Sequence, residues 1–223
     1  MTKTYGQFCG LARALEHVGD RWTLLVIREL LLAEASYGEL LAALDGVPTN
    51  LLAARLRQLE VDGLVTRERD AVDRRRASYQ LTPLGAELEP ALLALIRWGT
   101  HWMRTGPGQD RFEPNWAVLA LRALLGGRAA DRAGIVEVHV HDVRLHVISA
   151  PGADLRVVAG MDTDSGTVVN ATPELLLGTA SGQLTMTEAL RRGVQIRGDR
   201  SLACALLQPR PARGVVRDAT FSD

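Results

Sequence analysis

Residues 36–82 read SYGELLAALDGVPTNLLAARLRQLEVDGLVTRERDAVDRRRASYQLT, and their pattern decides the fold of the first half. Ser36 with Glu39 is an S-x-x-E capping box, which starts a helix near Tyr37. Leu40, Leu41 and Leu44 carry that helix to a stop at Asp45-Gly46. Pro48 and Thr49 open a second helix, with Thr49 as its expected N-cap. On it Leu52, Leu56 and Leu59 share one face at i, i+4, i+7 spacing. The other face carries Asn50, Ala53, Ala54 and Arg57. Past Gly63 the chain extends over 64–69, turns over 70–75 and returns over 76–81.

Two short helices followed by a hairpin outline a winged helix-turn-helix. A helix face of small side chains with Asn50 and Arg57 fits a major groove, where both can meet bases or phosphates, beside Thr49 at the helix start. Taken alone, the same face is equally the solvated side of an ordinary amphipathic helix. Arg55 lies at the edge of the apolar face and is placed for a phosphate. In the hairpin Arg67, Arg69, Arg74, Arg75 and Arg76 cluster against Glu68, Asp70 and Asp73. An arginine at a hairpin tip can enter a narrow minor groove, and Asp73 can hold Arg75 in a bidentate pair. The alternative is a solvated charged turn.

Residues 11–103 resemble the HxlR family of bacterial winged-helix transcription regulators, a branch close to the MarR type. The resemblance rests on Cys9, LEHVGDRWTLLVIREL at 15–30, YGELLAAL at 37–44, NLLAARLRQLEVDGLV at 50–65 and SYQLTPLG at 78–85. DRRR at 73–76 departs from the usual HxlR wing and is closer to the MarR pattern. The resemblance implies double-stranded DNA as a partner, contacted by Thr49, Asn50, Arg55, Arg57, Arg67, Arg74, Arg75 and Arg76. It also places Cys9 where some such regulators keep a redox-sensing cysteine. The neighbours Phe8, Gly10 and Leu11 bring no positive charge, while Arg13 one turn along could help; core or interface packing is the simpler role for that thiol.

The 223 residues allow one large or two small domains, and 47% apolar content allows a sizeable core. No apolar run nears the ~18 residues of a membrane span. MTKTYGQF at the start lacks a hydrophobic segment, so a cytoplasmic protein without membrane contact is expected. Net charge is zero, which leaves room for a locally basic surface. Cys9 and Cys204 cannot build a disulfide framework or a zinc site by themselves.

Outside the opening stretch, residues 7–19 form a helix. Asp20 caps the next, 21–32, which is apolar on most faces and must be buried. Thr82-Pro83 starts another helix, and Pro90 kinks or restarts it. Its second part, 91–104, carries Leu92, Leu95, Ile96, Trp98, Trp102 and Met103. That exceeds what one winged domain must cover, so a homodimer contact with the N-terminal helix is expected; packing of Trp98 and Trp102 on a second domain is the alternative. Gly106-Pro107-Gly108-Gln109 marks a boundary. The expected division is 1–105, a winged domain; 112–208, an α+β sheet covered by helices on one side; and 209–223, a tail.

In the second part a helix spans Trp116–Leu125 and strands span 135–141, Val143–Ser149, 155–159, 167–170 and Gln195–Arg197. Helices start at Thr172-Pro173, span 187–192 and close the domain at Arg200–Leu207. Residues 170–207, NATPELLLGTASGQLTMTEALRRGVQIRGDRSLACALL, resemble the C-terminal half of the sterol carrier protein type 2 superfamily. The resemblance implies an apolar tunnel for a lipid-like effector. Trp116, Leu119, Val138, Val140, Leu145 and Leu176 would line that tunnel or simply fill the core. His139, His141 and His146 lack a convergent further ligand, so exposed sheet histidines are expected and no metal. No nucleophile motif, phosphate loop or dinucleotide fingerprint appears, and neither an enzyme nor a cofactor is expected.

The sequence therefore points to a dimeric, sequence-specific DNA-binding repressor with a domain for an apolar small molecule. The alternatives are a hydrophobic-ligand carrier that uses the winged domain for protein interaction, and a redox-responsive regulator acting through Cys9.

Overall fold

Helices begin in this chain where side chains cap exposed N–H groups. In the computed structural model, which describes residues 4–69, 77–103, 109–160 and 165–209, the Ser36 hydroxyl accepts from the Glu39 N–H while the Glu39 carboxylate accepts from the Ser36 N–H. Thr185 and Glu188 repeat the device, Thr82 and Thr172 each precede a proline at the first helical position, and Asp199 caps the last helix. Two compact units result, Met1–Trp98 and Gly99–Asp223.

The first unit runs α1 (Gly10–Val18), α2 (Thr23–Leu32), β1 (Ala35–Ser36), α3 (Tyr37–Ala43), α4 (Thr49–Val61), β2 (Val65–Arg69), β3 (Ala77–Leu81), α5 (Pro83–Ala86) and α6 (Glu89–Gly99). Its core joins Val26, Ile27 and Leu30 of α2 to Leu40, Leu44, Leu52, Leu56, Leu59, Val65 and Tyr79. Each fully buried leucine contributes roughly 1.5–3 kcal/mol. The hairpin pairs Val65 with Leu81 and Arg69 with Ala77. The two-residue β1 adds a third strand beside β3, which the sequence reading did not contain.

Several boundaries differ from expectation. Pro48, not Thr49, is the N-cap of α4, and it offers no side-chain cap to the first turn. Asp20 accepts from the Trp22 N–H, one turn ahead of α2. Pro90 sits in the first turn of α6, where its missing N–H breaks no hydrogen bond, so the helix restarts there. At the end of α4, Gly63 takes φ +70°. The Leu64 N–H reaches the Leu59 carbonyl and the Gly63 N–H the Glu60 carbonyl, a Schellman stop.

The second unit contains a 3₁₀ turn (Thr100–Trp102), α7 (Trp116–Leu125), β4 (Gly134–Val140), β5 (Val143–Ser149), β6 (Arg156–Ala159), β7 (Val168–Asn170), α8 (Pro173–Ala180), α9 (Met186–Arg191), β8 (Gln195–Arg197) and α10 (Arg200–Leu207). The sheet order is β6-β5-β4-β7-β8, with β4 and β7 parallel. Val136, Val138, Val140, Leu145, Val147, Val157 and Val169 are buried on one face. There α10 packs on β4 and β8, and α7 on β6. The opposite face carries Glu137, His139, Arg144 and His146.

Gly85 tests how tightly the root of the hairpin is packed. A Cβ there would lie 2.0 Å from the Leu64 carbonyl oxygen, a backbone atom that cannot swing aside. Gly85→Ala is expected to lower the unfolding free energy by about 1–3 kcal/mol, read from urea melts; an unchanged midpoint would show that this junction is looser than described.

Candidate nucleic-acid interface

Burial sorts the sides of α4. Leu52, Leu56 and Leu59 are at most 1% exposed, while Thr49, Asn50, Ala54 and Arg57 face solvent. The Asn50 Oδ1 accepts from the Leu51 N–H at 2.9 Å, so the amide keeps its two N–H donors for an outside acceptor. The Arg57 Nε donates to the Ala53 carbonyl at 3.1 Å, which lays the side chain along the helix. Its remaining N–H groups can meet a base edge or a phosphate.

Three contacts fix the attitude of this helix. At its start, the Tyr37 hydroxyl donates to the Thr49 carbonyl at 2.8 Å. At its end, His17 Nδ1 of α1 lies 2.9 Å from Asp62 Oδ2, and the Gln58 amide donates to the other oxygen of Asp62. In the middle, Arg55 Nη2 lies 2.9 Å from Asp20 Oδ2. The second oxygen of Asp20 accepts from the Trp22 N–H and the Thr23 hydroxyl.

The Asp20 pair gives Arg55 a structural partner that the expectation of a phosphate contact did not include. Its guanidinium is turned to the approach to α2, and its Nε is buried with no hydrogen-bond partner among the described residues. The pair ties Arg55 to the approach to α2 and so helps to orient α4. Partly exposed pairs of this kind add only about 0–1 kcal/mol each, so their weight lies in orientation.

On the hairpin, Arg67 stands across from Tyr79, its guanidinium 5.8 Å from the ring centroid. Stacking on a buried ring holds that charge outward. Arg69 is exposed one turn of the pleat further on. Glu68 accepts from the Gln80 amide. Arg74, Arg75 and Arg76, and Asp73 with them, lie outside the described residues.

Cys9 is exposed and occupies the N-cap of α1. The Ala12 N–H first, and the Leu11 N–H after it, hold its thiol below the ordinary cysteine value. The cause is the helix N-terminus, whose N–H groups favour a thiolate, and not the cationic neighbour that the sequence would have to supply.

Elsewhere, Leu119, Val138, Val140, Leu145 and Leu176 are buried and Trp116 is half-buried. They pack within the second unit, and none lines the cleft around His139 and Arg197 or the one around Arg128 and Leu206. His139 Nε2 lies 2.6 Å from Glu137 Oε1, and that contact holds the Glu137 carboxyl below its usual range. His141 sits in the β4–β5 turn at φ 54°, not on a strand. His146, expected to be exposed, is 1% exposed. Among the described residues no group of three His, Cys, Asp or Glu side chains could hold a metal, and no helix is long and apolar enough to cross a membrane.

The family described as HxlR-like helix-turn-helix matches residues 17–107. An HTH-type transcriptional regulator of Synechocystis sp. is 36% identical over 98 residues, which are 44% of this chain and 73% of that one. One from Bacillus subtilis is 32% identical over 91 residues, 41% of this chain and 84% of that one. One from Mycobacterium bovis is 40% identical over 93 residues, 42% of this chain, and there the chain spans 58% of the relative's length.

A double-mutant cycle checks the role given to Arg55. Asp20→Ala and Arg55→Ala are expected to show a coupling of about 0.5–1 kcal/mol in urea unfolding. Strict additivity would return Arg55 to solvent and to the phosphate reading.

Proposed function

This chain belongs to the HxlR-like helix-turn-helix family of transcriptional regulators, and we propose that within it the protein is a dimeric, sequence-specific cytoplasmic repressor whose second unit receives an apolar small molecule. The observation that carries the DNA reading is the exposed face of α4, with Thr49, Asn50 and Arg57 open on a helix whose other side is sealed into the core. Asn50 and Arg57 discriminate bases. Arg67 and the guanidinium groups of Arg74, Arg75 and Arg76 supply phosphate or minor-groove contacts.

Exposed apolar side chains support the dimer. Leu11 and Leu15 of α1 and Leu95 and Trp98 of α6 stand open, Trp98 at 62%. Their burial in a two-fold contact would remove them from water and set two α4 helices about 34–36 Å apart, one turn of a duplex. For the effector, the support is the likeness of residues 170–207 to sterol-carrier domains and the wholly apolar character of the Leu119, Val138, Val140, Leu145 and Leu176 cluster. A ligand there has to part that packing, so its binding would shift the population of an opened state.

A second reading has its own observation. Cys9 is an exposed thiol with a lowered titration point, as a redox-sensing residue requires. Oxidation beside α1 would then act on the dimer.

Gel shifts with the DNA upstream of the chain's own gene test the first reading. Asn50→Ala and Arg57→Ala are each expected to cost about 1–3 kcal/mol of discrimination. Replacing Arg74, Arg75 and Arg76 by alanine should weaken binding to all sequences and flatten the salt dependence, by about one in log–log slope for each phosphate no longer neutralised. Variants that bind like the parent, with the same salt slope, would remove α4 and the hairpin from the interface.

The redox reading is tested by alkylation. Iodoacetamide should modify Cys9 with a rate midpoint below the pH ~8.5 of an ordinary thiol, and mild peroxide should alter DNA affinity in the parent but not in Cys9→Ser. An ordinary midpoint together with peroxide-insensitive binding would leave Cys9 without a sensing role.

A further inference from the structure

The outer face of the second unit's sheet holds a polar cleft of about 600 Å³, lined by His139, His141, Asn170, Thr172, Gln195 and Arg197 with the backbone of Ala171 and Gly193. Strand register builds it. His139 of β4 pairs with Asn170 of β7, and Asn170 pairs with Gln195 of β8. The three side chains therefore form one row across adjacent strands, on the face opposite the row Val138, Val169 and Ile196. Arg197 lies two residues beyond Gln195 on the same face, and His141 and Thr172 close the ends of the strands.

The chemistry of this lining is one-sided. It offers a guanidinium, two imidazoles, two carboxamides and a hydroxyl, and no carboxylate. The neighbouring carboxylate on this face, Glu137, is taken up by His139. Among the described residues, the side chains of Asn170, Gln195, Arg197 and His141 have no hydrogen-bond partner, so their donors are open to a guest.

We propose that this cleft is a binding site for a small, polar carboxylate, with Arg197 gripping the carboxylate in a bidentate pair and Asn170 and Gln195 bonding hydroxyl or amino groups beside it. The guanidinium fork matches a planar carboxylate. A phosphate is less well served. The nearby first turn of α8 has Pro173, which lacks an N–H, and Glu174, whose charge opposes a dianion. The apolar cluster on the other side of the sheet is separate from this site, and the carboxylate site does not depend on the DNA-binding reading.

Calorimetric titration of the full chain, without DNA, tests it with L-lactate, L-malate, L-glutamate, citrate, inorganic phosphate and palmitate as probes. At least one of the four polar carboxylates should bind, and should shift the side-chain amide NMR signals of Asn170 and Gln195. Arg197→Gln should weaken that binding about ten- to a hundred-fold. Gln195→Ala, which leaves all charges in place, should weaken it a few-fold and carries the test if Arg197→Gln fails to fold. The proposal is overturned if none of the four binds, if phosphate or palmitate binds as tightly at these residues, or if both variants bind like the parent.

Discussion

The burial of Leu52, Leu56 and Leu59 is the constraint on which the first unit turns. Three leucines on one side of α4 leave the helix a single rotation at which its apolar stripe meets the core beside β2. Rotating the helix by one residue would move the whole stripe toward solvent, at a cost of several kcal/mol. Asn50 and Arg57 face outward because the leucines face inward. The polar contacts from Tyr37, Asp20 and His17 are individually weak and refine a placement that packing has already chosen.

Much of this was legible in the chain. Capping signals act between residues three apart, so Ser36 with Glu39 and the Thr-Pro pairs at 82–83 and 172–173 announced their helices without tertiary information. Alternation gave β4 and β5, because one face of their sheet is buried and the other is not. What escaped the reading was set at a distance. The strand β1 has two residues and exists only because β3 lies beside it. Arg55 looked like a phosphate ligand because its partner, Asp20, stands 35 positions earlier, in a turn whose geometry no local pattern reveals. The burial of His146 depends on what lies over the outer face of a sheet.

Cys9 shows a third kind of miss. Its environment is local, yet cysteine is not among the residues that signal a helix start. Side-chain charge near Cys9 carries no information about N–H groups that belong to the backbone. The tunnel expectation stands differently: apolar lining and apolar filling call for the same residue types, so Leu119, Val138 and Leu145 satisfy both readings in sequence, and their burial satisfies both as well.

The junction at Gly63 reaches beyond stability. The Schellman stop binds Leu64 to the last turn of α4, the Leu64 carbonyl accepts from the Thr82 N–H, and the Thr82 hydroxyl closes onto the Gly63 carbonyl. Reading helix and hairpin root are thus one solid piece, like two prongs cast on a single fork. Among the described residues, the junction between α4 and the hairpin root offers no joint. On the proposed DNA reading, adjustment to groove width falls to side-chain rotamers or to bending of the duplex, and the stiffness of the DNA then becomes part of what is selected.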